Sequence, residues 1–235
     1  MMSYFHFKNF SILQSDAAMK VGTDSMLLGS FINSANKKFA LDVGAGSGVL
    51  SLMVAQKNNE IKIDAVEIDK LSMKECVLNF EASAWSARLE VFHTDYLDFK
   101  IDQKYDLIFS NPPYYQSTLV SNDDRKATAK HERSLPIPVF LKKVSSSLTP
   151  DGVVWIIIPF IDRHSWEKNA EQSGLFVSKE TRVSGKKHKK PNRIILELKK
   201  RKNNLVSNHF VIRNDNGTYT DAYIELTKEF HRKEL

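Results

Sequence analysis

The chain holds one cysteine, Cys76, in 235 residues. A single thiol excludes an intrachain disulfide and a cysteine-built zinc site. No apolar run approaches the roughly 18 residues that span a bilayer. The opening residues, Met1-Met2-Ser3-Tyr4-Phe5-His6, lack the charged-then-apolar layout of a secretory signal. These absences set the expectation of a cytoplasmic protein with no membrane and no metal. There is also no internal repeat, and no Pro/Gly/Ser-rich linker that would divide the chain. A single domain over residues 1–235 is therefore expected.

What is present is enough apolar sequence for a sizeable core, 42% of residues, and an uneven charge. Residues 186–202 carry seven Lys, two Arg and one Glu, a net of +8 against +6 for the whole chain, so the remainder sums to −2. A basic segment on a mildly acidic body points to a polyanionic partner at one place. A solvated, lysine-rich loop is the plainer alternative.

Strand-like and helical patterns alternate. Residues 4–14 read as a short hairpin. Thr23 reads as the N-cap of a helix over 24–32. Strands follow at 38–43, 62–67, 88–93, 105–110 and 152–159, with helices at 49–56, 70–84, 135–148 and 163–173 between or after them. That alternation predicts a parallel, doubly wound α/β sheet. Three further strand-like runs, 175–183, 193–199 and 206–213, are joined by short connections and predict an antiparallel edge. Residues 219–229 close the chain as an amphipathic helix. The divisions are an N-terminal extension (1–37), a core (38–200), and a closing strand and helix (201–235).

Three successive strands end in an acid. Asp42 precedes the turn Gly44-Ala45-Gly46-Ser47-Gly48, Glu67 closes the next strand, and Asp95 follows the third. Glycines let the chain turn tightly and let a ligand approach the peptide plane. An acid before the first glycine suits a cationic ligand better than a pyrophosphate. Glu67 can accept a pair of ribose hydroxyls, and Asp95 an adenine amino hydrogen. Helix capping and turn formation are the simpler roles for such acids, and Asp69 reads as the helix cap.

The fourth strand runs into Asn111-Pro112-Pro113-Tyr114-Tyr115. Neither proline can donate to a ladder, so the strand stops there. The Asn111 side-chain oxygen and the Pro112 carbonyl can each accept one N–H of a planar amino group. Tyr114 can stack on a base, and Tyr115 either joins it or packs below.

The acid and glycine series resembles the class I S-adenosylmethionine-dependent methyltransferases. The resemblance implies a Rossmann-like, mostly parallel seven-stranded sheet with an antiparallel C-terminal strand. It implies S-adenosylmethionine bound by Asp42, Gly44, Gly46, Gly48, Glu67 and Asp95. Asn111-Pro112-Pro113-Tyr114 resembles the N-P-P-Y motif of enzymes that methylate planar nitrogens in DNA, RNA or protein glutamine, so Asn111, Pro112 and Tyr114 become the catalytic candidates. Lys20-Val21-Gly22-Thr23-Asp24 and Tyr219-Thr220-Asp221-Ala222-Tyr223 are similar to the terminal signatures of the bacterial methyltransferases that modify adenine 37 of a valine tRNA. That resemblance implies N6 methylation of an anticodon-loop adenine; a monomer is a separate expectation. Thr23 and Asp24 would lie near the cofactor, with Lys20 on its carboxylate or on RNA. Tyr115, Lys186, Lys187, Lys189, Lys190 and Arg193 would meet the tRNA. Residues 116–134, with Arg125, Lys126, Lys130 and Arg133, read as a loop able to close as a lid. Glutamine methylation, DNA adenine methylation and a non-catalytic RNA-binding module remain as alternatives.

Overall fold

The computed structural model describes residues 3–17, 19–112 and 136–232. Tyr114, Tyr115 and the 116–134 loop lie outside them. The N-terminal extension begins with a hairpin, β1 (Tyr4–His6) and β2 (Ser11–Leu13), followed by α1 (Thr23–Phe31). The core follows as β3 (Phe39–Val43), α2 (Val49–Lys57), β4 (Lys62–Glu67), α3 (Lys70–Glu81), β5 (Leu89–His93) and β6 (Tyr105–Ser110). After α4 (Ile137–Ser147) come β7 (Leu148–Pro159), α5 (Arg163–Gln172), β8 (Phe176–Lys186), β9 (Arg193–Lys199), β10 (Val206–Arg213) and α6 (Asp221–Thr227).

Strands β3 to β10 form one sheet in the order β10-β8-β9-β7-β6-β3-β4-β5. It has eight strands, one more than the seven implied by the resemblance, because β10 adds alongside β8 in parallel register. Only β9 runs against the rest, antiparallel to both β7 and β8. The antiparallel strand is thus internal, and the expected antiparallel edge is instead a parallel one. Short hairpin-length connections on both sides of β9 produce this: the chain turns back after β8 into β9, slots between β7 and β8, then crosses to the outside.

Both faces of the sheet are covered along its central strands β3, β6 and β7, which read as near-continuous apolar runs. Along β7, Val153, Trp155 and Ile157 face the layer of α1, α2 and the N-terminal hairpin. Val154, Ile156 and Ile158 face α4 and α5, through Phe140, Leu141, Val144 and Trp166. The period-2 alternation of a strand therefore divides one apolar run between two cores.

The N-terminal extension is held by two buried polar side chains one turn apart on α3. Glu75 accepts the amides of Asp16 and Ala17, each at 2.8 Å. Asn79 accepts the Leu13 amide at 2.7 Å and donates to the carbonyls of Leu13 and Ser47. The start of α1 differs from expectation. Gly22 is the N-cap and Thr23 the first helical residue. Ser25 Oγ accepts the Gly22 amide and donates to the Gly22 carbonyl, so the third helical residue does the capping.

Candidate active site

The carboxyl-terminal edge of a parallel sheet is where ligands bind in this architecture. Here β3, β4, β5 and β6 are neighbours, and each ends in a residue singled out from the sequence. Asp69 behaves as read: it caps α3 by accepting the Ser72 amide at 2.9 Å.

The turn after β3 is fixed from the next strand. The amides of Gly44 and Ala45 both donate to the Val66 carbonyl, and the Gly46 amide donates to Glu67 Oε2 at 2.7 Å. Gly46 and Gly48 have φ of 57° and 81°, left-handed values that an L side chain resists. The two glycines do different jobs. A Cβ on Gly48 would lie 2.6 Å from the Phe80 ring and 2.8 Å from Cys76 Sγ, so α3 packs directly on it. A Cβ on Gly46 would meet nothing within 4 Å, so that peptide faces open space.

Asp42 is fully buried. Its Oδ2 accepts the Ser51 hydroxyl at 2.7 Å, while Oδ1 has no partner among the described residues. Burial, reinforced by the nearby Glu67 carboxylate and opposed by the Ser51 hydrogen bond, pushes its pKa up to about 7. A buried acid with one unpaired oxygen at the base of an open glycine turn fits a cationic ligand group, such as an ammonium or sulfonium. Glu67, 8% exposed, also takes the Asp69 amide on Oε1 at 2.7 Å. An ionised carboxylate offers about four acceptor positions, so two remain for a pair of hydroxyls. Asp95, half-buried, accepts the Leu97 amide on Oδ1 at 2.8 Å and thereby holds the turn after β5.

On β6, Ser110 Oγ donates to the Val43 carbonyl at 2.7 Å and ties the two strand ends together. Phe109 pairs with Asp42 in the β3–β6 register. Continuing that register puts Asn111 level with Gly44, one strand spacing of about 4.8 Å away. Asn111 Oδ1 is buried and has no hydrogen-bond partner among the described residues. A buried unsatisfied acceptor costs about 1–3 kcal/mol, and such a group is open to a donor from a ligand.

The other candidates gather elsewhere on the same edge. Asp24 accepts Arg193 Nε at 2.9 Å, so a residue placed with the cofactor and one placed with RNA are joined. Both line a cleft of about 340 Å³ with Thr23, and the rest of its lining comes from α1, β8, β10 and α6 and from Asn192 and Tyr219 just before β9 and α6. None of Asp42, Gly44, Gly46, Gly48, Glu67, Asp95 or Asn111 lines it. Lys186 ends β8, and Lys187, Lys189 and Lys190 are exposed on the turn into β9. Sequence reasoning missed Glu75 and Asn79, whose signal was a polar pair four residues apart on one helix. It also missed Arg213, whose guanidinium lies 4.0 Å from the Tyr219 ring centre.

Residues 10–164 match the Methyltransferase small domain family. The tRNA1(Val) (adenine(37)-N6)-methyltransferase of Flavobacterium johnsoniae is 37% identical over 97% of this chain and 99% of its own. The proteins of the same name from Vibrio campbellii and Haemophilus influenzae are 33% and 34% identical, each over at least 95% of both chains. The chain belongs to this methyltransferase family. Among solved structures, a predicted O-methyltransferase from Agrobacterium tumefaciens superposes with a TM-score of 0.71 at 16% identity, over 91% of this chain and 98% of its own. A putative RNA methyltransferase from Pyrococcus horikoshii gives 0.54 at 20% identity, over 74% and 80%. At these identities they establish the methyltransferase fold alone. Among the described residues no helix is long and apolar enough to cross a membrane, and no His/Cys/Asp/Glu group is arranged to hold a metal.

Proposed function

We propose that the protein methylates the exocyclic N6 of adenine 37 in tRNA1(Val), using S-adenosylmethionine. The observation that carries the choice of acceptor is the near full-length match to relatives named for that reaction. The cofactor supplies an electrophilic methyl group on a sulfonium. When bound, it would be held by Asp42 at its cationic end, by the Gly44–Gly48 turn, by Glu67 at the ribose hydroxyls and by Asp95 at the adenine.

Asn111 Oδ1 and the Pro112 carbonyl accept hydrogen bonds from the two N–H groups of the target amine, and the proton that the methylated nitrogen must shed passes to solvent. The lone pair of an aromatic amine is delocalised into its ring. Two acceptors that fix both N–H bonds favour a geometry in which lone-pair density points at the methyl. Catalysis is then positioning and electrostatic stabilisation, without a strong general base. Tyr114 would stack on the splayed-out base, a contact worth about 1–3 kcal/mol, with Tyr115 either joining it or packing below. Lys186, Lys187, Lys189, Lys190 and Arg193 meet phosphates, which positions the anticodon stem-loop without reading its sequence. A cytoplasmic, monomeric enzyme belongs to this reading.

The test is methylation of total tRNA with labelled cofactor, followed by digestion and identification of the modified nucleoside. N6-methyladenosine at position 37 of tRNA1(Val) is expected. Label appearing instead in a release-factor glutamine, with tRNA unmodified, would overturn the proposal.

A further inference from the structure

The cleft beside the Asp24–Arg193 pair is built for more than that pair. Of its lining, Leu27 and Val183 are fully buried and Tyr223 nearly so, while Ile212, Arg213 and Tyr219 are half-buried and present the accessible surface. Tyr219 stacks on Tyr223 with ring centres 4.5 Å apart and planes 11° from parallel. Arg213 lies on the Tyr219 ring, and its Nη1 donates to the Gly217 carbonyl at 2.7 Å. The guanidinium is thus fixed on an aromatic shelf before any ligand arrives, which lowers the ordering cost of binding.

The charge is not balanced. Arg193 is ion-paired to Asp24. Arg213 has no carboxylate within ion-pair distance among the described residues. In the β8–β10 register Arg213 sits opposite Lys186, so the lysine-rich turn begins at the rim of the cleft. A fixed, unneutralised guanidinium selects an anion, and its planar fork suits a phosphate. A phosphate alone does not need the apolar surface of Ile212 and Tyr219 beside it. At about 340 Å³ the cleft falls at the lower end of the roughly 300–1,000 Å³ that hold a drug-sized ligand. A nucleotide, with an apolar base face and an anionic linkage, uses both the guanidinium and that surface.

The placement suits the same RNA strand. Ser110 pairs with Ile156, and Arg193 pairs with Pro159 three residues further along β7. The cleft therefore rises from the sheet edge that carries Asn111, two to four strands away, or about 10–19 Å at the usual spacing. A splayed anticodon loop covers that span within a few nucleotides.

We propose that this cleft seats one nucleotide flanking the target adenine, its phosphodiester on Arg213 and its base or ribose against Ile212 and the Tyr219 ring. The proposal rests on the tRNA reading above.

The experiment measures binding of an anticodon stem-loop RNA across a salt series for the wild type, Arg213→Gln and Arg213→Lys. Calorimetric S-adenosylmethionine affinity serves as the check on folding. Arg213→Gln should bind RNA about tenfold more weakly and lose roughly 0.7–0.9 from the slope of log affinity against log salt, the signature of one lost phosphate contact. Arg213→Lys should retain the slope. A second arm leaves the wild-type protein intact: stem-loops each carry one neutral methylphosphonate. One linkage should cost the wild type as much as Arg213→Gln does and cost that variant nothing. An Arg213→Gln slope equal to wild type, or no linkage coupled to Arg213, overturns the site while leaving the enzyme a tRNA methyltransferase. A wild type that neither binds nor methylates the stem-loop overturns the tRNA reading with it.

Discussion

Glu67 Oε2 accepts the Gly46 amide at 2.7 Å, so the acid at the end of β4 closes the glycine turn that follows β3. One carboxylate therefore shapes the turn and, on our reading, offers its remaining acceptor positions to the ribose. Glu67→Ala should weaken S-adenosylmethionine binding about 10- to 150-fold, the range for a lost hydrogen bond to a charged group of about 1.5–3 kcal/mol. Calorimetry checks this, and RNA affinity should stay within about threefold. Unchanged cofactor affinity would remove Glu67 from the site.

Asn111→Ala separates chemistry from stability. The variant loses an acceptor aimed at the reacting amino group and should lose about 10²–10³ in kcat, as for removal of one well-placed polar group. It also deletes a buried oxygen without a partner, so its urea midpoint should hold or rise. A stability loss above about 1 kcal/mol would mean that Asn111 is structural. Single-turnover methylation and equilibrium unfolding make the two measurements.

Asp42 predicts a pH dependence with a definite sign. Burial raises its folded pKa from 3.8 to about 7. Its contribution to stability is therefore full below pH 4 and is lost as pH rises through 7. In the absence of cofactor, Asp42→Asn should be more stable than wild type at pH 8–9, by about 1–4 kcal/mol, and no more stable at pH 4. The same shift means that a cationic ligand releases a proton on binding near pH 6, and none near pH 9. Calorimetry in buffers of different ionisation enthalpy counts that proton. No proton release at pH 6 would sink the assignment of Asp42 to the cationic end of the cofactor.

Asn79→Ala should act on both the extension and the turn. It strands the Leu13 amide and the carbonyls of Leu13 and Ser47, all currently bonded. A loss of about 2–4 kcal/mol in urea unfolding is expected from unsatisfied buried groups. Limited proteolysis should then cut within residues 3–22 ahead of the core. Wild-type resistance of that segment would show that Glu75 alone holds it.

Much of this was legible in the sequence because it is local. Glycine and proline punctuate turns wherever they occur, and alternation along 153–158 marks a strand covered on both faces. The acids Asp42, Glu67 and Asp95 fall at strand ends by simple counting. What was not legible depends on partners far along the chain. Asn79 bonds Leu13 across 66 residues, and Glu75 bonds Asp16 across 59. Gly22 caps α1 through Ser25 because the bond runs backward from the third helical residue, whereas Thr23 was the conventional cap type in the right place. Strand order is also non-local, so the short loops around β9 announced a reversal but not that it would be internal.

The reversed strand sets an order of events during synthesis. Once residue 110 has left the ribosome, β3 to β6 can assemble the cofactor half from strands already present. Beyond it, the Val153–Pro159 edge of β7 stays unpaired until Arg193–Lys199 has been made and has turned back against it. For some 40 residues of elongation the nascent chain presents an apolar, hydrogen-bond-hungry edge, the kind that recruits another chain. Aggregation during synthesis is therefore expected to start from this edge and within that window.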